Sequence, residues 1–463
     1  MSIFDKILEN LPEVASPTQK RLSFKEKLKW TLIVLISFFV LGLVPLFGLG
    51  QNALQQFQYL SIILGAKFGS IISLGIGPLV TASIVLQLLN GSGIVKFDLT
   101  TVEGKAKFQA VQKLLSYGFI LFEATIYVFM GGLAPPAELA GTSLYSTLQV
   151  LLIIQLFIGG ILIMFMDELV SKWGFGSGIS LFIAAGVSEQ IFIKAFSWLH
   201  PPSNPDAYVG AIPELFRALS AGDPTSAGIA LAGVVSTIIV ILISVYTSSM
   251  KVEIPLSFGK ARGYGVRWPL AFFYTSNIPV ILIAALLANI QLWARLLMNW
   301  GHPWLGTFSP SGAPASGLVL WIQPVNIVGN IISHNLVLSD ILHSAVYVLI
   351  MVIGSVIFSI FWVQTSGMDA KSQAENIMAT GLQIPGFRND KRILERILNR
   401  YIQPLTVMGG MAVGFLAAFA DLFGALSRGT GILLAVMIIY QLYEEIAKEH
   451  MMDMNPMARK FFE

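Results

Sequence analysis

The 463-residue chain contains no cysteine. Disulfides, thiolate metal sites and a cysteine nucleophile are therefore excluded. Charge is scarce as well. Asp, Glu, Lys and Arg make up 12% of the residues, where a soluble protein carries about 25%. The five histidines (His200, His302, His334, His343 and His450) are scattered, and only His343 begins an apolar segment. No HExxH, GxSxG or Walker-type phosphate loop occurs. Within the apolar segments charge nearly vanishes. Glu123 stands out in the interior of the third segment, while Asp167, Glu168, Arg295 and Asp421 lie near segment ends. Intramembrane charges normally mark ion or proton pathways. Their scarcity argues against an ion-coupled pump.

Apolar residues are abundant, at 55% of the chain. They gather in ten segments, at 29–49, 74–92, 111–133, 145–166, 177–197, 226–248, 271–295, 341–364, 402–425 and 430–447. A run of roughly 18–25 apolar residues crosses the hydrocarbon core as a helix. Only a helix or a closed barrel satisfies its own backbone groups there. The chain is thus expected to be an all-α polytopic membrane protein. Its first apolar run is full length without a small-residue cleavage site, so it is read as a span rather than a cleavable leader. Segment 1–12 carries Ile3, Phe4, Ile7, Leu8 and Leu11 at helical spacing, which suits a short helix on the membrane surface.

The few basic residues set the orientation. Of 29 Lys and Arg, 24 fall in the N-terminus, in the gaps after segments 2, 4, 6 and 8, and in the C-terminus. The other side holds Lys67, Lys194, Arg217, Arg295 and Arg428, and the long gap 296–340 has no Lys or Arg. The positive-inside rule places both termini in the cytosol. Ten spans divide into five and five. Five is odd, so the second half starts on the opposite side and the two halves form an inverted repeat. The organisation expected is a cytosolic segment 1–28, an N-terminal half 29–200, an external hinge loop 201–225, a C-terminal half 226–447 and a cytosolic tail 448–463. Cytosolic loops 249–270 and 365–401 interrupt the second half.

Several local features could carry function. GLGQNALQQFQYLSIILGAKFG, between segments 1 and 2, has an apolar stretch too short to cross and is interrupted by glutamines. It reads as a re-entrant piece or as an external loop. Ile76 and Val80 share a helix face at the start of segment 2, and Ile179 and Ile183 repeat the spacing in segment 5. Such pairs are ordinarily packing or lipid-facing residues. Glu123 reads as functional or as a carboxyl hydrogen-bonded between helices. Gln87 and Asn277 are the kind of polar residue that joins helices. Loop 249–270 carries Lys251, Lys260, Arg262 and Arg267, and loop 365–401 carries Lys371, Arg388, Lys391, Arg392, Arg396 and Arg400. These fit anionic lipid head groups or an anionic partner such as ribosomal RNA.

Whole stretches of the chain also resemble a known family. RLSFKEKLKWT (21–31), SLGIGPLVTASIVLQLL (73–89), FQAVQKLL (108–115), DELVSKWGFGSGISLFIAAGVSEQIF (167–192), KVEIPL (251–256), SNIPVILIAALLANIQLW (276–293), IPGFR (384–388) and RYIQPLTVMGG (400–410) resemble the archaeal branch of SecY, the large subunit of the protein-conducting channel. The resemblance implies an hourglass channel of two five-helix halves. It implies passage of secretory polypeptides across the membrane and lateral release of transmembrane segments into lipid. A ring of six aliphatic side chains is implied at Ile76, Val80, Ile179, Ile183, Ile281 and Leu434. A greasy ring gates small ions by dewetting. The resemblance places a short plug helix at about 57–68, with Phe57, Tyr59, Leu60, Ile62, Ile63, Leu64 and Phe68. It places a lateral gate at Thr81, Gln87 and Asn277, and ribosome docking at Lys260, Arg262 and Arg388. The small subunits SecE and Sec-beta, the ribosome, signal sequences, nascent chains and lipids are the implied partners. No cofactor and no enzymatic activity are implied. The rival reading is an inverted-repeat secondary transporter, which would need specific polar contacts at mid-membrane.

Overall fold

The computed structural model describes residues 11–19, 22–50, 69–91, 94–95, 97, 101–129, 132–201, 205–258, 265–276, 278–299, 301–309, 314–379, 382–383 and 390–454. Its helices are α1 Phe24–Gly42, α2 Gly77–Gly91, α3 Val102–Phe129, α4 Ser143–Trp173, α5 Gly178–Phe196, α6 Ala211–Ala221 and α7 Pro224–Ser249. They continue with α8 Ile278–Asn299, α9 Leu318–Trp321, α10 Ile327–Ile332, α11 Leu338–Thr365, α12 Ala370–Ala379, α13 Lys391–Leu422 and α14 Gly429–Met454. Each of the ten apolar segments overlaps one of the longer helices. Among the described residues, six helical stretches are long and apolar enough to cross a membrane: 143–173, 178–196, 224–249, 338–379, 391–422 and 429–450. The fold is that of a mostly helical polytopic membrane protein.

The expectation of an all-α chain needs one correction. Among the described residues five short strands occur, at or beyond the ends of the apolar segments: β1 Lys251–Phe258, β2 Gly265–Ala271, β3 Gly306–Phe308, β4 Pro314–Gly317 and β5 Leu382–Gln383. β1 and β2 form an antiparallel hairpin with Val252 opposite Leu270 and Ile254 opposite Trp268. β5 adds to β1 at Ser257 and Phe258. The two basic loops are thereby joined in one sheet. The physical reason is the period-2 alternation of Val252 and Ile254 with Lys251 and Glu253, which gives the hairpin one apolar face.

By contacts the chain divides into two compact units. One holds 1–90, 95–217 and 438–463, and the other holds 91–94 and 218–437. The core of the first is built by Val34 and Phe38 of α1, Leu79 of α2, Ile120 and Val128 of α3, Leu152, Leu156 and Ile163 of α4, and Phe182 of α5. α1 stops at Gly42, short of the apolar segment it starts. Pro45 follows, and Gly48 takes φ +85°, a turn the helix cannot continue through. The chain then pairs back, with Leu46 N–H donating to Gly69 O at 2.8 Å and Ile71 N–H to Val44 O at 2.9 Å.

The second unit has two clusters. One lies among the apolar helices, with Val280, Ile283, Tyr347, Met351, Val413, Ala417 and Leu433. The other lies under the sheet, with Ile254, Leu270, Tyr274, Ala374, Ile377, Leu394, Leu398 and Ile402. α13 begins in the second cluster and ends in the first. It therefore starts eleven residues before the apolar segment at 402 that the sequence marks. Leu394, Leu398 and Ile402 stand four apart, the spacing of one buried helix face.

Three contacts recur in both units. In the first, Gly159 and Gly160 of α4 lie against the carbonyl of Ile71, ahead of α2, and against Ile120 of α3. In the second, Gly409 and Gly410 of α13 lie against the carbonyl of Phe272, ahead of α8, and against Ser359 of α11. Asp167 accepts from Ile179 N–H at 2.8 Å and so caps α5. Asp421 accepts from Gly429 N–H at 2.6 Å at the start of α14. Thr31 of α1 accepts from Phe175 N–H at 3.1 Å. Thr237 of α7 accepts from Leu426 N–H at 2.9 Å.

Candidate functional site

The expected ring residues lie at the beginnings of helices. Val80 N–H donates to Ile76 O at 3.1 Å, so these two residues frame the first turn of α2. Gly75 takes φ +58°, which turns the chain into the helix. Ile179 and Ile183 stand on the first turns of α5, whose start is fixed by Asp167. All four are half-buried, and Ile76 and Ile179 pack against the same apolar cluster. Gly178 is forced by close approach. A Cβ there would lie 2.5 Å from Asp167 Cα. In the second unit Ile281 is half-buried in the first turn of α8, and Leu434 is 9% exposed on α14.

A cavity of about 440 Å³ lies beside α2 and α5. Leu79, Ile179 and Met164 give it an apolar wall, and Lys113, Ser116, Asp167, Glu168 and Lys172 a polar one. Leu11 and Glu13 of the N-terminal segment also line it.

Of the polar gate residues, Thr81 donates to Gly77 O at 2.9 Å and Gln87 donates to Ser83 Oγ at 3.2 Å. Both bonds stay within α2. Glu123 of α3 lies beside the start of α2, with Oε2 3.4 Å from where a Cβ on Gly77 would stand. Thr81, whose hydroxyl bonds Gly77 O, lies one turn further along α2. The sequence marked Glu123 as exceptional without revealing this neighbour. Asp421 was also visible only as a charge near a span end. It accepts from Tyr347 Oη at 2.7 Å as well as from Gly429 N–H.

Other expected residues lie outside the described residues: Phe57, Tyr59, Leu60, Ile62, Ile63, Leu64 and Phe68 of the plug, Asn277 of the gate, and Lys260, Arg262 and Arg388 of the docking loops. Among the described residues no group of three or more His, Asp or Glu side chains is arranged to hold a metal ion.

Fold and candidate site together define a polytopic helical membrane protein with aliphatic pairs, not charges, at the starts of α2 and α5. The SecY family profile matches residues 70–443. The protein translocase subunit SecY of Pyrococcus furiosus is 45% identical, over 97% of each chain. That of Methanothermobacter thermautotrophicus is 45% identical over 99% of this chain and 98% of its own. A solved structure described as a protein conducting channel superposes with a TM-score of 0.80 at 41% identity, covering 98% of both chains. Sec61 in a canine ribosome–channel complex gives 0.77 at 40% identity, again covering 98% of both. The chain belongs to the SecY family. The transporter reading is set aside, because these relatives are translocase subunits and channels.

Proposed function

We propose that the chain is the pore-forming subunit of a protein translocation channel, passing secretory polypeptides across the cell membrane and releasing transmembrane segments sideways into lipid. The observation that carries this is the convergence of the starts of α2 and α5. Each offers an aliphatic i,i+4 pair, and Ile76 and Ile179 rest on one apolar cluster. With Ile281 and Leu434 they make the six-membered constriction. An aliphatic ring has no fixed hydrogen bonds to satisfy, so it yields to chains of any sequence and closes by dewetting.

The architecture we infer is ten transmembrane helices in two inverted halves, 29–200 and 226–447, joined by the hinge loop 201–225, with both termini cytosolic. The three recurring contacts support it. They join α1, α2, α3, α4 and α5 in the same pattern as α7, α8, α11, α13 and α14. In this reading residues 57–68 plug the path below the ring. Thr81, Gln87 and Asn277 line a lateral gate that a signal sequence parts by its higher affinity for the open state. Glu123, beside Gly77, belongs to the same polar group. Lys260, Arg262 and Arg388 dock the ribosome, supported by the sheet that unites the two basic loops. SecE and Sec-beta complete the complex, and no cofactor or catalysis is involved.

The test is a site-specific crosslink. A photoreactive residue at Ile179 is offered a ribosome-bound nascent chain with or without a signal sequence. A crosslink that needs the signal sequence is expected. None at Ile179, Ile76 or Ile281 would remove the polypeptide path.

A further inference from the structure

Residues 12–15 lie in no regular element, yet they are held closely. Lys113 of α3 donates to the carbonyl of Pro12. Val14 N–H donates to Glu168 Oε2 at 3.0 Å. Lys172 donates to Val14 O at 2.5 Å, and Trp173 Nε1 to Ala15 O at 2.8 Å. Only one further hydrogen bond in this group engages a side chain of the segment, that of Lys172 to Glu13. Four of the five bonds thus read main chain, which every polypeptide carries.

The receiving groups are organised apart from the segment. Lys113 pairs with Glu168, their side chains 11% and 18% exposed. Trp173 packs against Trp30 with ring centroids 5.7 Å apart and the planes tilted by 56°. The segment itself stays at the surface: Pro12, Glu13, Ala15 and Ser16 are exposed, and Leu11 and Val14 half-buried. It covers the cleft without filling a core. Beneath it lies the 440 Å³ cavity, which extends to Leu79 and to Ile179 of the constriction.

We propose that this cleft is a binding site for the main chain of an entering polypeptide, and that residues 12–15 occupy it as an internal stand-in. The inference rests on the channel reading above. A cleft that bonds carbonyls and one N–H, and touches few side chains, recognises an unfolded chain without regard to sequence. The side chains of such a chain have the mixed polar and apolar cavity below to enter. The segment is tethered, and so is a nascent chain held at the membrane by its ribosome. Both act at high effective concentration. Displacement exchanges one set of main-chain hydrogen bonds for an equal set, so a weak intrinsic preference decides occupancy.

The experiment uses the full complex, with benzoylphenylalanine at exposed Ser171, which lines the cavity, and in a parallel sample at Ile179. The probe is a ribosome-stalled nascent chain with a signal sequence. V14P removes the N–H that Glu168 accepts and loosens the segment, leaving the cleft intact. K172M removes a donor from the cleft itself. We expect a Ser171 crosslink that rises several-fold in V14P and is lost when K172M is added. A crosslink at Ile179 with none at Ser171, in wild type and in V14P, overturns the site and leaves the channel standing. A Ser171 crosslink that V14P and K172M leave unchanged overturns main-chain recognition. No crosslink at either position removes the channel reading and this site together.

Discussion

The hydroxyl of Thr31 accepts the backbone N–H of Phe175 at 3.1 Å, across 144 residues of chain, while donating to Lys27 O at 2.8 Å. Both capacities of the hydroxyl are used. Thr237 does the same in the second unit, accepting from Leu426 and donating to Gly233 O at 2.7 Å. Each pins the turn after a long helix, α4 or α13, onto α1 or α7. That turn leads into the helix bearing Ile179 or the one bearing Leu434, so each hydroxyl helps position a helix start it never touches.

Replacing either threonine by valine keeps the shape and orphans the N–H. An unsatisfied buried donor costs about 1–3 kcal/mol. T31V and T237V should each lower the thermal midpoint of the detergent-solubilised complex. T31S and T237S, which keep the hydroxyl, should restore it. A valine variant as stable as wild type would show that the turn finds another acceptor.

The glycine pairs make a sharper contrast. A methyl group at Gly159 would lie 1.8 Å from Ile71 O, and one at Gly409 would lie 2.8 Å from Phe272 O. Backbone cannot yield as a side-chain tip does. G159A is expected to destabilise by about 1–3 kcal/mol or more, as overpacking does, and G409A by less. G118A and G186A, where nothing stands within 4 Å, should be neutral or stabilising by up to about 1 kcal/mol. Midpoints of unfolding for the four variants decide the order.

How far these features could be read from the sequence depends on their range. The helical, polytopic character was legible because a bilayer forces each crossing to satisfy its own backbone, and six of the helical stretches are long and apolar enough to cross. Aliphatic pairs such as Ile76 and Val80 were legible as faces, but their place in a constriction came only from the resemblance. The hairpin had a local signal, the alternation from Lys251 to Ile254, which the basic residues obscured. The early start of α13 had one too, in Leu394, Leu398 and Ile402. Thr31 with Phe175, and Gly159 with Ile71, had none. Nothing local distinguishes a threonine that caps a distant turn from one that bonds only its own helix.

Acidity should loosen the N-terminal segment. Glu13 accepts from Lys172, and this hydrogen bond holds its carboxyl below the ordinary glutamate range. Partial burial opposes the shift, and the charges of Lys172 and Lys113 add to it. A lowered folded value means the contact stabilises above the ordinary value and is lost as pH falls through the folded one. The chain has no cysteine, so a single cysteine at Ser16 takes a spin label cleanly. Its mobility should rise on acidification below the ordinary glutamate range. In E13Q it should be already raised and insensitive to pH there. A wild-type label that stays immobile through the whole acid range would mean the main-chain bonds hold the segment alone.

The ring makes the last prediction. Ile76, Ile179 and Ile281 come from the first turns of three different helices. In the proposed constriction a single substitution leaves the other aliphatic residues in place, and packed interiors relax in part around one loss. Replacing all three by serine removes branched apolar surface from three sides and adds hydroxyls that hold water. The dewetting barrier should then fall and ions should leak through the resting channel. Planar bilayers containing the purified complex should show conductance without any translocating chain in the triple variant, and little in the single ones. Resting conductance in the triple variant equal to wild type would mean that another element, such as residues 57–68, seals the path by itself.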